Sequence, residues 1–356
     1  MNLHKTLATV SGMTMLSRIT GLIREFLVAR TFGASVYTDA FFVAFRIPNL
    51  LRRLFAEGAF SQAFVPIIAE YKNQQGNRAT RTLADHVATV MFWALLVTTV
   101  LGIIGAPMVV LLMASGFNSD PVALSLSVTM TRIMFPYILF MSLVALAGGI
   151  LNTWQEFRVP AFTPVLLNLS FIAGAIFLAP QLSQPVYALA IAVFIGGVLQ
   201  LWFQVPALRK IGMLPRIGMN PVTALRDPGV RRVLRQMLPA TFAVSAAQIS
   251  LIINTNIASH LPDGSVSWLS YADRLMELPT ALLGVALGTI LLPSLSKAHA
   301  CGDHGEYSSL LDWGLRLTIL LATPAAVALM VLSEPITTTL FHYGKFDTLS
   351  VTMTSR

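Results

Sequence analysis

Apolar runs long enough to cross a bilayer recur along this chain between short polar breaks, an alternation that predicts an all-helical, polytopic membrane protein. The first predicted helix covers 7–32. A turn around Gly33 and Val36-Tyr37-Thr38 then leads to a second helix over 39–65. Both are polar for segments facing lipid. A third span over 87–115 is free of charge, and a fourth covers 132–151. Between 159 and 208 there is again no charged residue, and Pro180-Gln181-Leu182-Ser183-Gln184-Pro185 divides that stretch into a fifth and a sixth span. The polar segment 209–235 reads as a linker carrying an amphipathic surface helix over 221–234. Spans seven, eight and nine follow over 236–261, 267–292 and 315–340, and the pattern restarts at Leu349 as the opening of a tenth. Three parts result: a six-helix bundle at 1–208, the linker at 209–235, and a partial second bundle at 236–356.

Composition agrees. Hydrophobic residues make up 55% of the chain, charged residues only 11%, and the mean hydropathy is +0.71, whereas soluble domains carry about 25% charge. The net charge of +8 does not make a nucleic-acid binder, because the positives are dispersed among uncharged spans and form no basic face. They follow topology instead. With the N-terminus inside, the inner segments hold Lys5, Lys72, Arg78, Arg81, Arg158, Lys297 and seven basic residues of the linker, while the outer connections offer only Lys345. The single Cys301 rules out an intrachain disulfide. The N-terminal apolar stretch runs into Arg18 and Arg24 without a small-residue cleavage site, which argues against a removable signal.

Some charges are left over once the loops are accounted for. Arg18, Arg24 and Glu25 lie in the first helix; Asp39, Arg46, Arg52, Arg53 and Glu57 in the second; Asp273, Arg274 and Glu277 in the eighth. Arg18 and Glu25 are seven apart and share a face, as do Asp39, Arg46 and Arg53. Arg274 stands three residues before Glu277, at pairing distance on a helix. Charge inside hydrocarbon is costly unless it faces a polar cavity or a partner. Snorkelling or structural ion pairing accounts for Arg18, Arg46 and Arg53 taken singly. For Arg24, Arg52 and Arg274 the stronger reading is a ligand site, since guanidinium forks match phosphate oxygens and an anionic diphosphate headgroup suits such a cavity.

No catalytic pattern competes. The histidines are scattered, there is no HExxH, no metal-ligating cluster and no GxxxxGK phosphate loop, so neither cofactor nor metal nor ATP hydrolysis is expected. Energy for transport must then come from an ion gradient, a membrane potential, the substrate gradient or another protein.

The stretch 38–66 opens Thr38-Asp39-Ala40-Phe41-Phe42, continues through Phe45-Arg46-Ile47-Pro48-Asn49-Leu50-Leu51-Arg52-Arg53 and holds Glu57-Gly58-Ala59-Phe60-Ser61-Gln62-Ala63-Phe64. It closely resembles the MurJ/MviN family of lipid II flippases. So do Ser17-Arg18-Ile19-Thr20-Gly21-Leu22-Ile23-Arg24, Asn152-Thr153-Trp154, and Tyr271 to Pro279 followed by Gly284-Val285-Ala286-Leu287-Gly288-Thr289. The resemblance implies a two-bundle transporter with a central cavity, of the multidrug/oligosaccharidyl-lipid/polysaccharide exporter superfamily. Such a protein moves lipid II across the bacterial inner membrane by alternating access, with membrane potential implicated. It further implies that Arg24, Arg52 and Arg274 meet the diphosphate and sugar-peptide headgroup, and that Arg18 lines the same cavity. Asp39 and Glu57 would serve charge pairing or gating, with Glu25, Arg53, Asp273 and Glu277 in support. Membrane lipids and the cell-wall synthesis or division machinery are the implied partners. Glu25 stands where close relatives carry aspartate.

Family members have about fourteen transmembrane helices, so nine and the start of a tenth imply an incomplete second bundle. Four other readings stay open at this level: a flippase for another polyprenyl-diphosphate glycan, a multidrug or cation antiporter, a membrane enzyme acting on polyprenyl phosphates, and a non-catalytic scaffold. Clustered arginines disfavour the antiporter, which would use acidic residues. The enzyme would have only Asp273 and Glu277 for acid–base work.

Overall fold

The computed structural model describes residues 3–53 and 59–356, and the described elements are helical. They fall into two compact units, 1–266 and 267–356. The first holds α1 (Leu3–Phe32), α2 (Val36–Arg52), α3 (Phe60–Gln74), α4 (Gly76–Ile104), α5 (Ala106–Met113), α6 (Pro121–Met134), α7 (Tyr137–Thr153), α8 (Arg158–Ala173), α9 (Tyr187–Lys210), α10 (Pro221–Leu225) and α11 (Pro228–Ala258). At its end begins α12 (Ser265–Ala300), and α13 (His304–Phe341) and α14 (Thr348–Ser355) follow in the second unit.

Local chemistry sets the helix ends. Asp120, Asn220, Asp227, Asp303 and Asp347 accept hydrogen bonds from the first backbone N–H groups of α6, α10, α11, α13 and α14. Gly33 closes α1 at φ 68°, a left-handed conformation that leaves its N–H on the Ala29 carbonyl at 2.9 Å. Then the Ser35 N–H donates to Thr38 Oγ1 at 2.9 Å and starts α2.

Among the described residues, five helical stretches are long and apolar enough to span a membrane: Gly76–Ile104, Pro121–Thr153, Arg158–Gln181, Tyr187–Lys210 and His304–Phe341. The first expected span falls on α1, whose 30 residues reach about 45 Å at 1.5 Å each. The seventh and eighth fall on α11 and α12.

Several boundaries differ from those expected. The helix of the second span starts at Val36, not 39, because Ser35 caps it. The third span is not one helix over 87–115: α4 begins eleven residues earlier, at Gly76, and Gly105 separates it from α5. The fourth begins at Pro121 rather than 132, and a break at Phe135-Pro136 divides α6 from α7. No amphipathic helix runs over 221–234. Asp227 ends the five-residue α10 and caps α11, so Arg231, Arg232 and Leu234 belong to the start of a long helix.

Unit one packs around two large apolar clusters. One joins Phe41 and Ala44 of α2 to Met130, Tyr137, Phe171 and Val193; the other joins Phe60, Phe64 and Ile67 of α3 to Leu83, Val87, Ile150 and Val233. Two sets of polar contacts tie its loops. At one end Arg232 pairs with Glu70 at 2.8 Å, and Lys72 donates to the Thr153 carbonyl at 2.9 Å while lying 4.4 Å over the Trp154 ring. His86 meets Asp227 at 2.6 Å, and the Arg216 N–H donates to Asp85 at 2.7 Å. Gly218 is satisfied twice, donating to Thr89 Oγ1 and accepting from the Trp93 indole, both at 2.9 Å. At the other end Ser115 reaches Asn256 at 3.1 Å and His260 at 2.9 Å, and the Gly116 N–H donates to Ser259 at 3.1 Å. In unit two the rings of Tyr271, Phe341 and Phe346 meet at 5.3–5.7 Å.

A side chain at 116 has no room, since its Cβ would lie 2.1 Å from the Ser259 carbonyl oxygen. Gly116→Ala should cost about 1–3 kcal/mol through forced backbone displacement, read as a lowered Tm in thermal unfolding; an unchanged Tm would contradict this packing. The hydrogen bond from Arg232 holds the Glu70 carboxyl below the usual carboxylate range. A depressed acid stabilises fully above its ordinary range, and the contribution disappears as pH falls through the lowered value. Glu70→Gln should therefore lower Tm slightly at neutral pH, leave it almost unchanged at acid pH, and so flatten the acid limb of the Tm–pH profile. A steep acid limb retained in the variant would exclude that pair as its cause.

Candidate functional site

An enclosed ion pair sits in α1. Arg24 and Glu25, adjacent in sequence, form an ion pair with side chains 15% and 12% exposed. Its other terminal nitrogen, Nη1, donates to Asn168 Oδ1 on α8 at 3.0 Å. The guanidinium carbon stands 5.1 Å from the centre of the Phe171 ring, one turn along α8. Asn168 is buried and uses its amide in both senses, donating from Nδ2 to the Ser17 carbonyl at 3.0 Å and to Thr20 Oγ1 at 3.2 Å. One amide thus fastens two turns of α1 to α8 and fixes the position of Arg24.

Phe171 ties this cluster to α2. Its ring meets Phe41 and Phe45 edge-on at 6.1 and 6.2 Å, and those two stack on each other at 5.7 Å. From the other side, Ser170 donates to the Ala192 carbonyl of α9 at 2.6 Å. The magnitudes show why the arginine is tolerated. Placing one mid-membrane costs about 2.5–3.5 kcal/mol on insertion scales. A hydrogen bond to a charged group contributes about 1.5–3 kcal/mol, and a cation–π contact about 0.5–2. With Glu25 balancing the charge, these contacts offset the cost of placing the arginine there.

Arg52, half-buried near the end of α2, presents its Nε and Nη2 edge to Asn49 Oδ1 at 3.1 and 3.0 Å. That is the three-residue spacing noted in the sequence. Arg53 follows as the half-buried C-cap of α2. Arg18 is exposed on α1 next to Ser17, and Arg46 is half-buried in α2. Asp39 has a task the seven-residue spacing did not show: 4% exposed, its carboxylate accepts the Gly264 N–H at 2.7 Å. Gly264 holds φ at 96°, which favours glycine at that latch between α2 and the α11–α12 turn. Glu57 lies outside the described residues. In unit two, Arg274 pairs with Glu277 at 3.2 Å, both partly exposed, and Asp273 is half-buried beside them.

Two residues of the Arg24 cluster, Asn168 and Phe171, were not anticipated. A lone carboxamide inside the charge-free run 159–208 was the available signal, since a buried amide in a membrane segment needs partners. Among the described residues no group of three or more His, Cys, Asp or Glu could hold a metal ion.

Comparison with known proteins identifies the lineage. The family described as "Lipid II flippase MurJ" matches residues 28–356. The lipid II flippase MurJ of Burkholderia cenocepacia is 67% identical over 356 residues, covering 100% of this chain and 69% of that protein. A probable lipid II flippase MurJ of Buchnera aphidicola subsp. Acyrthosiphon pisum is 46% identical over 358 residues, with 100% and 69% covered. Among solved structures, "Lipid II flippase MurJ, inward closed conformation" superposes with a TM-score of 0.82 at 28% identity, covering 97% of this chain and 70% of that one. An inward-facing MATE family transporter of the MOP superfamily shares the fold, with a TM-score of 0.76 at 14% identity over 98% of this chain and 78% of its own. The chain therefore spans roughly seven tenths of the MurJ proteins it matches, and by matched extent, identity and multi-pass helical fold it belongs to the MurJ family of lipid II flippases.

Proposed function

We propose that this protein carries lipid II from the cytoplasmic to the periplasmic face of the inner membrane by alternating access, with its N-terminus in the cytoplasm. The observation that carries the reading is the Arg24 cluster: a guanidinium held by Asn168, Glu25 and Phe171, in a chain of this family. A diphosphate is the ligand such a group suits, because the fork can exchange its contact with Glu25 for phosphate oxygens while Asn168 keeps it oriented. Arg52 and Arg274 add two further guanidiniums, each held by a neighbour three residues away. Arg18 supplies exposed positive charge along α1, and Asp39 holds a gate-like contact with Gly264. On this reading the first bundle is 1–208, the linker 209–235 and the second bundle 236–356. The basic linker faces the cytoplasm and, with the adjoining loops, is the surface open to cell-wall synthesis or division machinery. A flippase for another polyprenyl-diphosphate glycan would use the same arginines, so competition between lipid-linked substrates decides between the two.

In cells depleted of their own flippase, lipid II reaching the periplasmic face is the readout. Arg24→Ala and Arg274→Ala should each abolish the recovered accessibility at unchanged membrane abundance, and normal transport by both would remove the role assigned to them. Arg24→Lys should recover little, since an ammonium keeps the charge but loses the planar fork. Asn168→Leu should lower transport by about tenfold or more, the effect of losing roughly 1.4 kcal/mol of orientation; wild-type transport in that variant would show that Arg24 needs no positioning.

A further inference from the structure

Unit one carries an apolar groove that the Arg24 cluster does not use. It has a volume of about 290 Å³ and is walled by α4 through Val90, Met91 and Ala94 and by α11 through Val233, Leu234 and Met237, with Thr98 and Ser142 as its only polar lining residues among the described residues. The size is at the lower end of small-ligand pockets, about 300–1,000 Å³. Such a lining accepts a hydrocarbon chain and rejects a polar headgroup.

What surrounds the groove identifies its occupant. Along α4 it is continued by Val97, Leu101 and Ile104, exposed by 55%, 63% and 71%, and along α11 by Leu238 and Phe242, exposed by 66% and 75%. Exposed apolar surface on membrane helices meets lipid, so the groove is supplied from the bilayer. The other end is basic. The first turns of α11, which form its wall, carry Arg231, Arg232 and Arg235, all exposed. Arg232 is engaged by Glu70, and Arg231 donates from Nε to the Leu225 carbonyl at 3.1 Å. An apolar slot entered from lipid and flanked on α11 by exposed arginines matches one class of molecule. We infer that this groove holds one acyl chain of an anionic phospholipid whose phosphate is met by Arg231 and Arg235. The inference rests on the membrane location of α4 and α11, not on the substrate assigned to Arg24.

The test uses the protein in lipid nanodiscs with phosphatidylglycerol carrying a photoreactive diazirine near the end of one acyl chain, beside the same probe built on phosphatidylcholine. Labels should concentrate on Val90, Met91, Val233 and Met237, with phosphatidylglycerol favoured by about fivefold for each arginine engaged. The double variant Arg231→Gln/Arg235→Gln should bring the two probes to equal labelling, and Ala94→Phe, which fills the slot, should lower labelling at these positions alone. Equal labelling of the unaltered protein by both probes would overturn the anionic assignment. Absence of label from the four positions would overturn the site. Displacement of the label by equimolar polyprenyl diphosphate would assign the groove to the substrate tail and overturn the phospholipid reading.

Discussion

An arginine cannot stand in an apolar helix without partners, and the way Arg24 acquires them organises the bundle around it. Asn168 bridges α1 and α8, Phe171 carries the guanidinium and the α2 phenylalanines on one ring, and Ser170 fastens the same stretch of α8 to α9. The partners are neutral apart from Glu25. Glu25 balances the guanidinium, and the neutral partners add hydrogen-bonding and ring contacts without a second negative charge. An amide is also a weaker claim on the guanidinium than phosphate oxygens are, so an incoming anion can share the group without dismantling the bundle.

The two ends of unit one are closed by different means. At the end bearing Arg232, backbone groups of the 211–227 segment are satisfied by side chains of α4, which gives an irregular loop a fixed path beside an apolar helix. At the opposite end, Asp39, Ser115, Gly116, Asn256 and Gly264 hold short loops together through hydrogen bonds. Contacts of that kind are directional and few.

Much of this was legible in the residues. Apolar run length gave the helical membrane class, and charge within those runs singled out Arg24, Arg52 and Arg274 as candidates, because hydrocarbon makes a charge conspicuous. Helix ends were less legible. Hydropathy reports where a chain is apolar, whereas α4 continues as a polar helix back to Gly76 and α6 begins at its Asp120 cap, twelve residues before Arg132. The charge at Arg132 looked like a boundary but is a residue inside the helix whose Nε reaches the Ile103 carbonyl at 3.2 Å. Asn168 and the Asp39–Gly264 latch join positions 144 and 225 residues away from their partners, and no local period encodes such a pairing.

The central claim is that Arg24, held by Asn168, recognises a diphosphate. Purified protein titrated with a short-chain polyprenyl diphosphate, the matching monophosphate and the uncharged polyprenol tests it most directly. The account predicts a preference for diphosphate of at least about tenfold over the monophosphate, roughly 1.4 kcal/mol, and its collapse in Arg24→Gln. Equal affinity for all three lipids, or an undiminished preference in that variant, would contradict it.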